Sequence, residues 1–213
     1  MKKQKLFIIL GTIILVLLAG GIALYFTVIK NDPEPVKQTD AQRFALEYSM
    51  SEDNVFVYRD AEAIIKIMEK GTGVVYLGFP ECPWCKSYVK YLNEVAKEVG
   101  IEKIYYYNVL TERPESGKPA SEGSEAYEKM VNILKEYLEV DAEGNERIYV
   151  PNVSFHIDGF IIGNDLETAY DTKGFETPEE YWTEKEVSEL KKTLKKYMED
   201  VHEALNVCTD CNK

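Results

Sequence analysis

Cys82-Pro83-Trp84-Cys85 is the stretch of this 213-residue chain best equipped for chemistry. A thiolate attacks disulfide sulfur and also ligates metals, and two residues between the thiols let one turn of chain close a ring. Cys82 follows a compact apolar run, residues 73–79 (GVVYLGF), suited to a strand buried on both faces. It precedes a helical pattern of Val89, Leu92, Val95, Ala96 and Val99, closed by Gly100. Cys82 is thereby expected at a helix N-terminus, where unpaired N–H groups and the macrodipole favour an anion and lower a thiol pKa. Pro83 falls near the first helical position, where a missing N–H costs nothing. Cys85 stands four, seven and eleven residues before Val89, Leu92 and Ala96, so it belongs to the buried face. The expected roles are unequal: Cys82 attacks a partner's sulfur, and Cys85 resolves the mixed disulfide. A static disulfide and half of a metal site are the alternatives, and the strand–turn–helix setting favours redox use over both.

A second pair, Cys208-Thr209-Asp210-Cys211, lies at the C-terminal end. It reads as a small terminal disulfide or as a second redox pair that exchanges with Cys82–Cys85. Zinc held by all four cysteines is disfavoured, because 122 residues separate Cys85 from Cys208. No metal and no cofactor is expected. His156 alternates with Phe155 and Ile157 on a strand and shares a face with Ser154 and Asn152, which predicts an exposed, inert side chain; His202 is expected to be solvated on an acidic helix. There is no Gly-rich phosphate loop and no G-x-S-x-G.

The elements that must position Cys82 and Cys85 follow from periodicity. Residues 55–58 predict a strand and 61–69 a helix ending at Gly71; residues 103–109 (KIYYYNV) predict another strand. Strand–helix–strand order predicts a parallel pair with a right-handed crossover. Within that strand, Tyr105-Tyr106-Tyr107 reads as core and edge. Residues 111–122 predict a polar loop and 125–140 an amphipathic helix. Residues 152–157 and 160–163 flank Asp158-Gly159, a strong two-residue hairpin signal. Thr177-Pro-Glu-Glu and Thr183-Glu-Lys-Glu are capping-box patterns that open one long terminal helix reaching about Leu205.

With its Cys-Pro-Trp-Cys between a buried strand and a helix, and Val150-Pro151 just before the hairpin strand, the chain resembles the thioredoxin superfamily over roughly residues 53–205. The resemblance implies a thioredoxin-like three-layer α/β/α sandwich with a mixed central sheet, carrying a helical insertion at about 110–147. It makes Pro151 a cis-proline facing the active site and leaves Val150 backbone groups to pair with an extended substrate. Proline followed by an aromatic residue resembles the centres of extracytoplasmic disulfide-forming or isomerising relatives. Two positions depart from the family. Glu81 stands where the family has Trp, and its carboxylate is expected to raise the Cys82 pKa. Tyr76 stands six residues before Cys82, where the family often has a buried acid, so no buried proton acceptor for Cys85 is evident.

Residues 6–29 form an almost unbroken apolar run preceded by Lys2, Lys3 and Lys5. As a helix the run spans roughly 36 Å, enough to cross a hydrocarbon core of about 30 Å. Positive charge stays on the cytoplasmic side, so the N-terminus is expected inside and everything after Lys30 outside, in the cell membrane. A cleaved signal peptide, with Gly21-Ile22-Ala23 at the cleavage site, is the alternative, and the continuation of the run to Ile29 favours an uncleaved anchor. Residues 30–42 read as a linker, 43–206 as the domain and 207–213 as a tail. Net charge is −12, and residues after 29 hold 22 basic against 37 acidic side chains. Such a surface repels phosphate backbones, which excludes nucleic acid as a partner.

The function expected is thiol–disulfide exchange on exported proteins, together with a membrane or secreted redox partner. The alternative is a non-catalytic accessory or binding module of an export system with a structural Cys pair, resembling the membrane-bound thioredoxin-like proteins that accompany bacteriocin export.

Overall fold

A computed structural model of the chain describes residues 38–166 and 174–210. The predicted membrane segment 6–29, most of the linker and Cys211 lie outside the described residues. Among the described residues no helix is long and apolar enough to cross a membrane.

In chain order the elements are α1 (Asp40–Tyr48), β1 (Phe56–Tyr58), α2 (Ala61–Lys70), β2 (Gly73–Gly78), α3 (Pro83–Val99), β3 (Ile104–Asn108), α4 (Glu125–Leu134), β4 (Asn152–Ile157), β5 (Phe160–Asp165), α5 (Pro178–Tyr181) and α6 (Glu184–Asp210). The strands form one mixed sheet in the order β1-β3-β2-β4-β5. β3 is parallel to both β1 and β2, as strand–helix–strand order predicts, while β2–β4 and β4–β5 are antiparallel.

β2 is buried along its whole length because both of its faces are covered. Val74 and Tyr76 enter a core shared with Phe44 and Tyr48 of α1, Val89 and Leu92 of α3, and Leu194 and Met198 of α6. Val75 and Leu77 enter a second core with Ile64 and Met68 of α2 and Met130 and Leu134 of α4. Two-sided burial is why the strand reads as a continuous apolar run rather than an alternating one. The Asp158-Gly159 hairpin forms as predicted, with φ of 50° and 83° at the two turn residues.

Four expectations are corrected. The segment expected as linker turns helical before its end: Thr39 caps a helix from Asp40, and its side chain and that of Gln42 complete a capping box. The helix from Glu125 stops at Leu134 and tightens into a 3-10 turn, Lys135–Tyr137, so it does not reach residue 140. The terminal segment is two helices, because Trp182 leaves helical geometry (φ −78°, ψ 72°); α6 then runs on to Asp210, past the expected end near Leu205, and takes in Cys208. His156 is fully buried, as are Ser154 and Asn152 on the same face. The polar residue types pointed outward, but β4 lies inside the sheet and α2 packs on that face as well. Burial pushes His156 down to about 4, so it is neutral at neutral pH, with Nε2 2.8 Å from Ser154 Oγ.

Candidate active site

The turn after β2 delivers Cys82 to the N-cap of α3, with Pro83 at the helix start. The Cys85 backbone N–H donates to Cys82 Sγ at 3.3 Å, so the thiol sulfur takes the place of a capping oxygen. Cys82 is half-buried and Cys85 fully buried, and both are free thiols.

Their electrostatics are opposite. Cys82 is lowered to about 7: the Cys85 thiol hydrogen bonds to it, the backbone N–H groups of Cys85 and Trp84 donate to it, and the Arg113 guanidinium attracts its negative charge. These outweigh a partial burial that alone would raise it. Cys85 is held well above its ordinary value by burial first, and then by its role as donor to Cys82. The Glu81 side chain is exposed, and the Cys82 shift runs opposite to the one expected from that carboxylate. The Cys85 thiol's hydrogen bond decides the sign, with the backbone N–H groups of the helix start and then Arg113 adding to it. Cys82 alkylation by iodoacetamide, located by peptide mass spectrometry, is therefore expected to reach half its maximal rate near pH 7. A rate that climbs unchanged through pH 9 would show that Cys82 is not activated.

Arg113 is a site residue that the sequence placed only in a polar loop. Its guanidinium lies 4.6 Å from the centroid of the Phe79 ring. Buried Arg147 fixes that loop from behind, donating to the carbonyls of Glu115 at 3.2 Å and Pro114 at 3.1 Å. No spacing rule ties a loop arginine to a motif 28 residues earlier in the chain.

Trp84 is half-buried and meets Tyr181 of α5 edge-on at 5.5 Å. Trp182 Nε1 donates to Ser87 Oγ at 2.9 Å, and Ser87 Oγ donates to the Trp84 carbonyl at 2.9 Å. The break between α5 and α6 thus braces the first turn of α3. On the other side, pairing of Leu77 with Asn152 sets Pro151 level with the end of β2, beside the turn that carries Cys82. The Val150–Pro151 bond is cis. Cys82 and Val150 both pack against the two cores where they meet.

Tyr76 is buried in the same cluster as Cys85, and its hydroxyl favours the Cys85 thiolate while that thiolate in turn opposes ionisation of the phenol. The structure therefore brings Tyr76, Cys82, Cys85, Pro83, Trp84, Val150 and Pro151 to one end of the sheet, with Glu81 on the exposed turn. Cys208 is at the far end of α6, its side chain outside the described set, and Cys211 lies outside it altogether. No family model matches the chain, and no curated protein is significantly similar to it.

Proposed function

We propose that this chain is a thiol–disulfide oxidoreductase of the thioredoxin superfamily, anchored in the cell membrane by residues 6–29, with its domain outside the cytoplasm. The observation that carries the proposal is the inequality of the two thiols: Cys82 is accessible and acidified, and Cys85 is buried and kept protonated. A static disulfide requires no such difference. The order of the sheet, helices on both of its faces, a dithiol at a helix N-terminus and a cis-proline beside it support the thioredoxin-like three-layer assignment.

In the reductive direction the Cys82 thiolate attacks one sulfur of a substrate disulfide. The Cys82–substrate bond forms, and the other substrate sulfur leaves as a thiolate and takes a proton. Cys85 then loses its proton and attacks Cys82 Sγ. The Cys82–Cys85 bond forms, the Cys82–substrate bond breaks, and the second substrate sulfur leaves reduced. The substrate has gained two electrons and two protons, and the protein has lost them. The reverse sequence oxidises a substrate dithiol. Substrates are exported proteins carrying thiols or disulfides, and a membrane or secreted partner resets the pair.

The test is insulin reduction by the full chain with dithiothreitol as electron source. The wild-type chain is expected to precipitate the insulin B chain well ahead of dithiothreitol alone, and Cys82→Ser to give only the background rate. Equal rates for the two proteins would overturn the proposal.

A further inference from the structure

Three buried tyrosine hydroxyls lead away from Cys85. Tyr76 shares a buried cluster with Cys85, whose thiolate its hydroxyl favours, and its Oη lies 3.5 Å from Tyr48 Oη, which in turn lies 3.1 Å from Tyr106 Oη. Tyr76 comes from β2, Tyr48 from α1 and Tyr106 from β3, so three elements converge to align the hydroxyls. All three rings are buried, and Tyr76 stacks on Tyr106 with centroids 5.5 Å apart. Gly78 keeps the place open, since a Cβ there would run into the Tyr76 hydroxyl. Full burial of a phenol beside a thiol is not required to fill a core; phenylalanine fills the same volume without hydroxyls that must find partners.

Each hydroxyl has one proton to donate and lone pairs to accept with. While Cys85 is a thiol, Tyr76 donates to Tyr48 and Tyr48 donates to Tyr106. Once Cys85 is a thiolate, rotation of the three hydroxyls lets Tyr106 donate to Tyr48, Tyr48 to Tyr76, and Tyr76 to the sulfur. The chain thus presents a proton to the anion without any side chain leaving its place. The other groups acting on Cys85 are the Cys82 thiolate, which opposes its ionisation, Arg113, which attracts it, and the Phe79 backbone N–H, which donates to it. One turn further along α3, Tyr88 is hydrogen bonded to the buried Asp165.

We propose that the Tyr76 hydroxyl, backed by Tyr48 and Tyr106, stabilises the Cys85 thiolate in the resolving step, and so does by hydrogen bonding what a buried base would do by taking the proton. The proposal rests on Cys82 and Cys85 exchanging disulfides. In that step the Cys85 proton passes to the departing substrate thiolate, and Tyr76 keeps its own. Tyr76 is a catalytic residue in this sense, since in that step its hydroxyl donates to the reacting sulfur; Tyr48 and Tyr106 are positioning residues.

The probe is Ellman's reagent, 5,5′-dithiobis(2-nitrobenzoate), mixed rapidly with the reduced full chain in which Cys208→Ser and Cys211→Ser leave only the active-site pair. Two thionitrobenzoate ions are released in succession: the first as Cys82 is captured, the second as Cys85 displaces the adduct from Cys82. Tyr76→Phe is expected to leave the first phase intact and slow the second by roughly tenfold to a hundredfold, the size of one hydrogen bond to a charged group. Tyr48→Phe keeps the hydroxyl at the sulfur and is expected to slow the second phase by a smaller factor; it carries the test if Tyr76→Phe does not fold. A second phase unchanged in the variants, with the first phase normal, overturns the role of the tyrosines alone. If the unmodified pair gives no second phase at all, dithiol exchange itself fails, and this inference with it.

Discussion

Cys85→Ser is expected to freeze the protein as a mixed disulfide with its substrates, and Cys82→Ser to capture none. The difference follows from burial and charge rather than from the symmetry of the motif. Cys82 stands half-exposed at the head of α3 with backbone N–H groups directed at its sulfur, so it is the thiol a substrate disulfide can reach. Cys85 is fully buried beneath it and protonated, so it neither meets a substrate nor reacts when alone. With serine at 85 the first bond still forms, but no intramolecular thiolate is left to break it. Release then requires an external thiol, and the complex survives until one is added. The experiment is a non-reducing gel of each full-length variant after incubation with oxidised insulin, with mass spectrometry of the conjugate. A conjugate through Cys82 in the first variant and none in the second is the expected result. Equal capture by both variants would mean that either sulfur is accessible. Capture by neither, in correctly folded protein, would make the pair a structural one.

The site was legible in the sequence where local rules operate. Cys-Pro-Trp-Cys after an apolar run announces a helix start, and Asp158-Gly159 announces a hairpin; each depends on a few adjacent residues, and both formed where expected. What the sequence hid is what depends on distant packing. Glu81 is adjacent to Cys82 in the chain, yet its exposed carboxylate does not govern the thiol; Arg113, from a loop beyond β3, contributes to the shift instead. Tyr76 marked the lack of a buried acid, but its partners Tyr48 and Tyr106 come from other elements and no periodicity links them. His156 was misplaced because a polar side chain on an inner strand is indistinguishable, in one sequence, from one on a solvated face. The helix Asp40–Tyr48 was missed for a related reason. Asp40, Gln42 and Arg43 continue the polar composition of the preceding segment, and the pair that anchors the helix, Phe44 and Tyr48, finds its partners on β1, β2 and β3.

That helix supports the second large effect. Phe44→Ala is expected to destabilise the domain by about 3–5 kcal/mol, the range for removing a large aromatic side chain from a packed core. The Phe44 ring is fully buried and stacks on Tyr48 at 4.2 Å and on Phe56 at 3.9 Å. It meets Tyr106 edge-on at 5.0 Å and Tyr76 at 6.5 Å. Its neighbours belong to four elements whose backbones are fixed by sheet pairing or helix packing, so the site cannot collapse into the space left behind. At the outer edge Arg43 stacks over Tyr58 at 4.0 Å and its Nε donates to Glu47 at 2.8 Å; Tyr58 Oη also donates to Glu47 at 2.6 Å. Exposed contacts of that kind contribute up to about 1 kcal/mol each and do not replace the lost ring. Against a total stability of about 5–15 kcal/mol for a domain of this kind, the loss is large but leaves a folded fraction to assay. Urea unfolding followed by fluorescence measures it. A loss below about 1 kcal/mol, the range of a surface substitution, would mean that α1 does not lie across the tyrosines. The same substitution also removes the ring that holds Tyr48 against Tyr106. In conditions where the variant is still folded, its second Ellman phase is therefore expected to slow while the first does not, linking the element that the sequence concealed to the thiol that it displayed.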